Sequence, residues 1–173
     1  MAESAHGFCF RCATALELKV RFDKERPVCP ACGYIVFEDP KVAVAVLVHR
    51  GRELLLGRRN INPGKGSWSF TSGYVDRGEV LEVAAVREVR EELGLTVALE
   101  TIVGAYSEPG DPVVLIVYPA TVEEGDPTPD GHEVVEAGWF PVEHLPEMAF
   151  EHDQHIVSDW LRSLDSADGE SIA

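Results

Sequence analysis

A mixed α/β layered domain behind a small cysteine-rich appendage is the fold class the sequence predicts. Three observations carry it. Strand-like runs outnumber helical ones. One helix-like stretch, Val80–Leu93, sits between two groups of strands. All four cysteines, Cys9, Cys12, Cys29 and Cys32, fall in the first fifth of the chain. At 173 residues and 45% apolar content, the chain can bury one real core plus a small addition.

Residues 1–8 read as a flexible tail. Residues 9–37 read as a ribbon built on two CxxC pairs, with short strands at Leu16–Phe22 and Tyr34–Phe37. Each CxxC turn aims two sulfurs at one point, and two such pairs suit tetrahedral Zn²⁺. Disulfides would need an oxidising compartment, and a redox CxxC normally occurs once. With four sulfurs the zinc has no open position, so the site is structural. A ribbon of about 30 residues cannot enclose much core, and metal supplies what packing cannot. His6 is read as a solvated tail residue.

Asp39-Pro40 marks a boundary, and residues 38–164 read as the main domain. Val42–His49 is an apolar, β-branched buried strand. Arg50-Gly51 turns the chain into a second strand, Glu53–Arg58. Asn60–Ser67 is a loop, Trp68–Thr71 a short strand and Gly73–Gly78 a loop. Gly94 caps the Val80–Leu93 helix. Thr96–Tyr106, Val113–Val122 and Val134–Phe140 read as strands, separated by Ser107–Pro112 and by the acidic loop Glu123–Gly131. Pro141–Pro146 is a turn, Glu151–Leu164 a terminal helix, and 165–173 a flexible tail.

Helix 80–93 concentrates the chemistry. At about 100° per residue, Leu81, Ala84 and Ala85 share a face that Glu88, Glu91 and Glu92 continue. Val83, Val86, Val89 and Leu93 lie on the other side, which predicts a helix packed on both sides. Carboxylates at i, i+3 and i+4 repel one another unless a cation sits among them. Oxygen ligands of this kind suit Mg²⁺ or Mn²⁺. Arg87 is placed to hold one of the carboxylates.

These residues match a known pattern. Gly73–Leu95, GYVDRGEVLEVAAVREVREELGL, fits the Nudix box, Gly-x5-Glu-x7-Arg-Glu-(apolar)-x-Glu-Glu-x-Gly-(apolar), at Gly73, Glu79, Arg87, Glu88, Val89, Glu91, Glu92, Gly94 and Leu95. With the ribbon in front, the chain resembles the zinc-ribbon Nudix hydrolases, a group that includes NADH pyrophosphatases and FAD/ADP-ribose pyrophosphatases. The resemblance implies an α/β/α sandwich with an N-terminal four-cysteine zinc ribbon. It implies metal binding by Glu88, Glu91, Glu92 and the Ser72 backbone carbonyl, and orientation of one glutamate by Arg87. Glu79 matches a box glutamate that usually acts behind the metal ligands. The base lies outside the box in this family. Glu133 and Glu136 are candidates, and both also fit exposed loop acids.

The implied reaction is Mg²⁺-dependent hydrolysis of the pyrophosphate in a nucleoside diphosphate linked to X, ADP-ribose or FAD first, releasing AMP. NADH and nucleoside triphosphates are alternatives, and a non-catalytic nucleotide sensor is an alternative of another class. Sensors tend to lose box glutamates, and here all are present. After the box, NADH enzymes carry Ser-Gln-Pro-Trp-Pro-Phe-Pro-x-Ser. This chain reads GAYSEPGDPVVL there, without the Trp or Phe. ADP-ribose enzymes often carry a proline about 15 residues beyond the last box glycine, and Pro109 stands 15 after Gly94. Phe70-Thr71-Ser72-Gly73 departs from the group's usual Leu-Pro-Ala-Gly. Arg58, Arg59 and Lys65 are candidates for phosphate contact, and Trp68 or Tyr74 for stacking on a base, although Trp68 also fits a core role. His152 and His155 read as a solvated helix face.

With 30 acidic against 15 basic residues, the formal charge is −15. That argues against nucleic acid and anionic membranes as partners. No apolar run reaches the roughly 18 residues of a membrane span, and MAESAHGF does not read as a secretory signal. The expected address is the cytoplasm, with a homodimer as a possible assembly.

Overall fold

The structure, a computed structural model, describes residues 7–169, with side chains through Asp165. His6, most of the expected N-terminal tail and the last four residues lie outside the described residues. Two compact units divide the chain, Met1–Pro40 and Lys41–Ala173.

In the first unit the two CxxC turns share one geometry. Ala13 N–H donates to the Cys9 carbonyl (2.7 Å), and Cys9 N–H to that of Thr14 (2.8 Å). Gly33 and Cys29 repeat the pattern, at 3.0 Å to Cys29 and 2.8 Å to Tyr34. Between the turns runs a hairpin of β1 (Glu17–Arg21) and β2 (Lys24–Val28). The expected strand over Tyr34–Phe37 is only a single bridge, Val28 to Ile35, and β2 takes its place beside β1. The alternation that marks a strand is too short to read in a 30-residue unit. The small core cluster here is Cys9, Leu16 and Cys29, with Tyr34 and Val36 against them, and Val28, next to Cys29 in sequence, is also buried. Phe8, Phe10, Leu18, Val20 and Phe22 stay largely exposed.

The second unit is a sandwich around one eight-stranded sheet. Its main path is β10 (Val134–Pro141), β4 (Glu53–Arg59), β3 (Lys41–Arg50), β9 (Val113–Glu124) and β7 (Thr96–Leu99). The short strands β5 (Trp68–Ser69), β6 (Thr71–Tyr74) and β8 (Gly104–Tyr106) pair with β4, β3 and β9. The central pair, β3 and β9, is parallel and in register from Lys41–Val113 to His49–Thr121. Alternation along β3 feeds two cores. Val44, Val46 and Val48 face helix α1 (Leu81–Leu93), whereas Ala45 and Leu47 face helix α2 (Asp153–Gly169). Leu55 and Leu54/Leu56 on β4 divide the same way. A sheet buried on both faces reads as a continuous apolar run, which is why VAVAVLVH announced itself.

Several boundaries differ from expectation. Phe70 interrupts Trp68–Thr71, so β6 starts at Thr71 and includes Gly73, which was read as loop. Thr96–Tyr106 is two strands, β7 and β8, both on β9. The terminal helix continues past Leu164 to Gly169. Helix α1 packs on one side only. Ala84, Ala85, Val89, Glu92 and Leu93 are buried, but Val83 is 57% exposed. Gly94 ends α1 in the left-handed region (φ 67°), and its N–H reaches the Arg90 carbonyl at 3.0 Å.

Candidate active site

Helix α1 presents Glu88 beside β6, at a cleft of about 840 Å³. Ser72, Gly73, Tyr74 and Glu88 line one wall with Glu133, and Tyr106, Phe150, His152, Asp153 and His155 line another. Contact between helix and strand is close. A Cβ on Gly73 would overlap the Glu88 carboxylate, so any other residue there would have to push that side chain out of place.

Arg87 ties the box together. Its Nε and Nη2 donate to the two carboxylate oxygens of Glu79 (2.8 and 2.9 Å). Nη1 donates to Glu88 Oε1 (2.7 Å) and Glu91 Oε2 (3.1 Å), and Nη2 also reaches the Tyr74 carbonyl (3.2 Å). The hydrogen bonds from Arg87 pull the Glu79 carboxyl down to about 2. Glu79 therefore stays ionised and locks the guanidinium fork. Arg87 thus engages three carboxylates, where the sequence suggested one.

Glu92 behaves differently. It is 8% exposed, and its Oε1 accepts the Ser72 N–H at 3.4 Å. Burial above all, with Glu88 and Glu133 adding repulsion, pushes its carboxyl up to about 8. Burial also raises Glu88. Glu91, by contrast, is 62% exposed and reaches outward to Arg87. The three box glutamates are therefore not equivalent, which identical letters in a sequence cannot convey.

The structure separates the other candidates. Glu133 stands at the cleft, near enough to Glu88 and Glu92 to raise both. Glu136 does not. Its carboxylate pairs with Arg58 (3.1 Å) across β10 and β4, and neither residue lines the cleft. Side chains alternate along a strand, so neighbours on β4 split, and Arg59 enters the cleft with its ring contact to Phe150 (5.2 Å). Trp68 packs edge-on against Phe140 (4.7 Å) beside the α2-side core and does not line the cleft. Tyr74 lines the cleft and stacks under Lys41 (4.8 Å). Lys65 is exposed and outside the cleft. His152 and His155, expected on a solvated face, line it. Asp153, Phe150 and Tyr106 were not foreseen, because only the docking of α2 brings them there. Burial pushes Asp153 up to about 6.

In the first unit, the four cysteine sulfurs lie within 4.8 Å of one another. Cys9–Cys32 and Cys12–Cys29 stand at 3.7 and 3.4 Å. A disulfide needs about 2.05 Å, whereas zinc bound at about 2.3 Å to four sulfurs sets them roughly 3.8 Å apart. The quartet fits a tetrahedral metal.

Comparison with known proteins agrees with this geometry. A protein of Methanocaldococcus jannaschii named ADP-ribose pyrophosphatase is 36% identical over 133 residues, 75% of this chain and 78% of that one. A protein of Chromobacterium violaceum named NAD-capped RNA hydrolase NudC is 36% identical over 142 residues, 82% of this chain. The chain spans about half the length of that relative, 52%. A NUDIX hydrolase from Nitrosomonas europaea superposes with a TM-score of 0.81 at 28% identity, covering 87% of this chain and 88% of that one. No helix among the described residues is long and apolar enough to cross a membrane. The family model described as NUDIX domain matches residues 39–161, and with its box helix, cleft and sandwich the chain belongs to the NUDIX family.

Proposed function

We propose that the protein hydrolyses the pyrophosphate bond of a nucleoside diphosphate linked to X, with ADP-ribose as the first substrate and FAD the second, releasing AMP. The observation that carries this reading is the half-buried Glu88 lining one cleft with Glu133, with the buried Glu92 behind it close enough for all three carboxylates to repel. Acids held where burial disfavours their charge call for a cation. Glu88, Glu91 and Glu92 would hold Mg²⁺ or Mn²⁺, with the Ser72 carbonyl beside them. Such an ion neutralises the diphosphate and acidifies a water bound to it.

The chain's own residues do the rest. Arg87 and Glu79 keep Glu88 in place. Glu133 accepts the proton of the attacking water. Arg59 reaches a phosphate oxygen, and Tyr74 flanks the nucleoside. Cys9, Cys12, Cys29 and Cys32 would hold Zn²⁺, with no position left for a reactant.

The relative named ADP-ribose pyrophosphatase supports the substrate, since most of its length is matched. The relatives named NudC favour a second reading, an NAD-linked substrate, free or at an RNA end. The absent Trp and Phe after the box count against it. The deciding experiment is a chromatographic panel with Mg²⁺ and Mn²⁺ on ADP-ribose, FAD, NADH, NAD⁺, nucleoside triphosphates and an NAD-capped oligonucleotide. AMP from ADP-ribose or FAD is expected, lost in Glu92→Gln. Faster release from the capped oligonucleotide or NADH would install the second reading. No turnover of any would overturn hydrolysis in favour of nucleotide sensing.

A further inference from the structure

Glu133 ends the nine-residue loop 125–133 between β9 and β10, whose polar, proline-containing sequence, GDPTPDGHE, would by itself be left slack. The loop is instead fastened to the box helix. Thr128 N–H donates to the Leu93 carbonyl (2.8 Å), and Asp130 N–H to the Glu92 carbonyl (3.0 Å). These carbonyls belong to the last turn of α1 and have no partner within the helix. The Asp130 carboxylate then turns the other way. Its Oδ1 accepts the N–H groups of His132 (3.1 Å), Glu133 (3.1 Å) and Val134 (2.9 Å), and Oδ2 accepts Glu133 as well (3.1 Å). On the far side, Asn60 N–H holds the Glu133 carbonyl (2.8 Å) and its Nδ2 the His132 carbonyl (3.1 Å).

One residue therefore joins the backbones of two acids. Asp130 holds Glu92 through its own N–H and Glu133 through its carboxylate. We infer that Asp130 is a positioning residue that fixes Glu133 relative to Glu92, and so sets where the attacking water loses its proton. This rests on the reading of Glu133 as the base. Geometry explains why an aspartate is suited here. Only a short side chain with an acceptor can return to the three N–H groups that follow it.

The test is a double-mutant cycle in the full-length protein, read by ADP-ribose turnover and by the crystal structure of each variant. Misplacing a reacting group by about 1 Å can cost about 100-fold. Asp130→Ala should therefore lower kcat about 10- to 100-fold with KM little changed. In a Glu133→Gln background the same change should have almost no further effect. Asp130→Asn keeps Oδ1 and should recover most of the loss. An Asp130→Ala loss of equal size in both backgrounds, or no loss in the parent, would overturn the inference while leaving Glu133 as base. Full activity in Glu133→Gln would overturn both. If Asp130→Ala is too unstable, Asp130→Gly, which also removes the acceptor, carries the same comparison. Independently of turnover, Glu133 should shift relative to Glu92 in the variant structure, and an unmoved Glu133 sinks the idea.

Discussion

Glu92 and Glu79 share a residue type, an active site and a helix neighbourhood, yet their carboxyls stand at about 8 and about 2. Glu79 is ionised by the Arg87 fork, and Glu92 is buried without a cation of its own. The burial of Glu92 costs stability in a definite pH window. Below about 4.5 it is protonated in folded and unfolded chain alike. Between there and about 8 the unfolded chain releases its proton and the folded one does not, so stability falls as pH rises. Metal-free Glu92→Gln should therefore melt higher than the parent at pH 8, on the order of 5 °C, since 1 kcal/mol moves Tm about 2–4 °C at this size. The gap should close near pH 4.5. With Mg²⁺ present the same variant should lose turnover by orders of magnitude. Calorimetry in EDTA and the turnover assay check both. Gly73→Ala is the complementary case. The methyl would displace the Glu88 carboxylate, so Mg²⁺-dependent kcat should fall at least about tenfold with the sheet intact by circular dichroism. The sequence alone showed that these residues belong together, because the spacing of Gly73, Glu79, Arg87 and the glutamates is specific. It did not show which glutamate is buried, because that depends on the strand that α1 lies against.

At the scale of elements, long segments with one environment were legible and short ones were not. The run at β3 and the helix at α1 stood out because burial on both faces and a 3.6-residue period leave clear patterns. Strands of two to five residues carry no period. β2, the β5–β6 split and the β7–β8 break were missed for that reason. The cleft wall at the start of α2 was hidden differently, since nothing local to Phe150–His155 says which sheet face receives it. Two turns give tests. Phe22 and Asp23 both take positive φ (51° and 60°) between β1 and β2. A two-residue turn of that kind favours Asn-Gly. Replacing Phe22-Asp23 with Asn-Gly should stabilise the first unit by about 1 kcal/mol, read from its melting with zinc held saturating. Gly94→Ala should cost α1 about 1 kcal/mol through the left-handed cap, read by urea denaturation.

For the whole molecule, the two units draw their stability from different sources. Lys41–Ala173 has two apolar cores around its sheet, whereas the one buried cluster described in Met1–Pro40 holds three side chains, two of them cysteines. Removing zinc should thus abolish the low-temperature transition of the first unit and leave the transition of the second in place. Differential scanning calorimetry with and without a chelator tests this, and an unchanged trace after confirmed zinc loss would show that the ribbon holds itself together.

Arg59 is the only lysine or arginine among the described residues lining the cleft, against Glu88, Glu108, Asp111, Glu133 and Asp153. For a nucleotide arriving by diffusion, that imbalance is a toll on the encounter. Two bodies of like sign meet less often than chance collision allows, and dissolved ions shorten the reach of the repulsion to about 8 Å at physiological strength. The second-order rate constant for capture should therefore climb with added monovalent salt, the reverse of proteins that draw anions in. A nucleotide that arrives already chelated, with part of its charge cancelled in solution, should outpace the free anion to the same cleft.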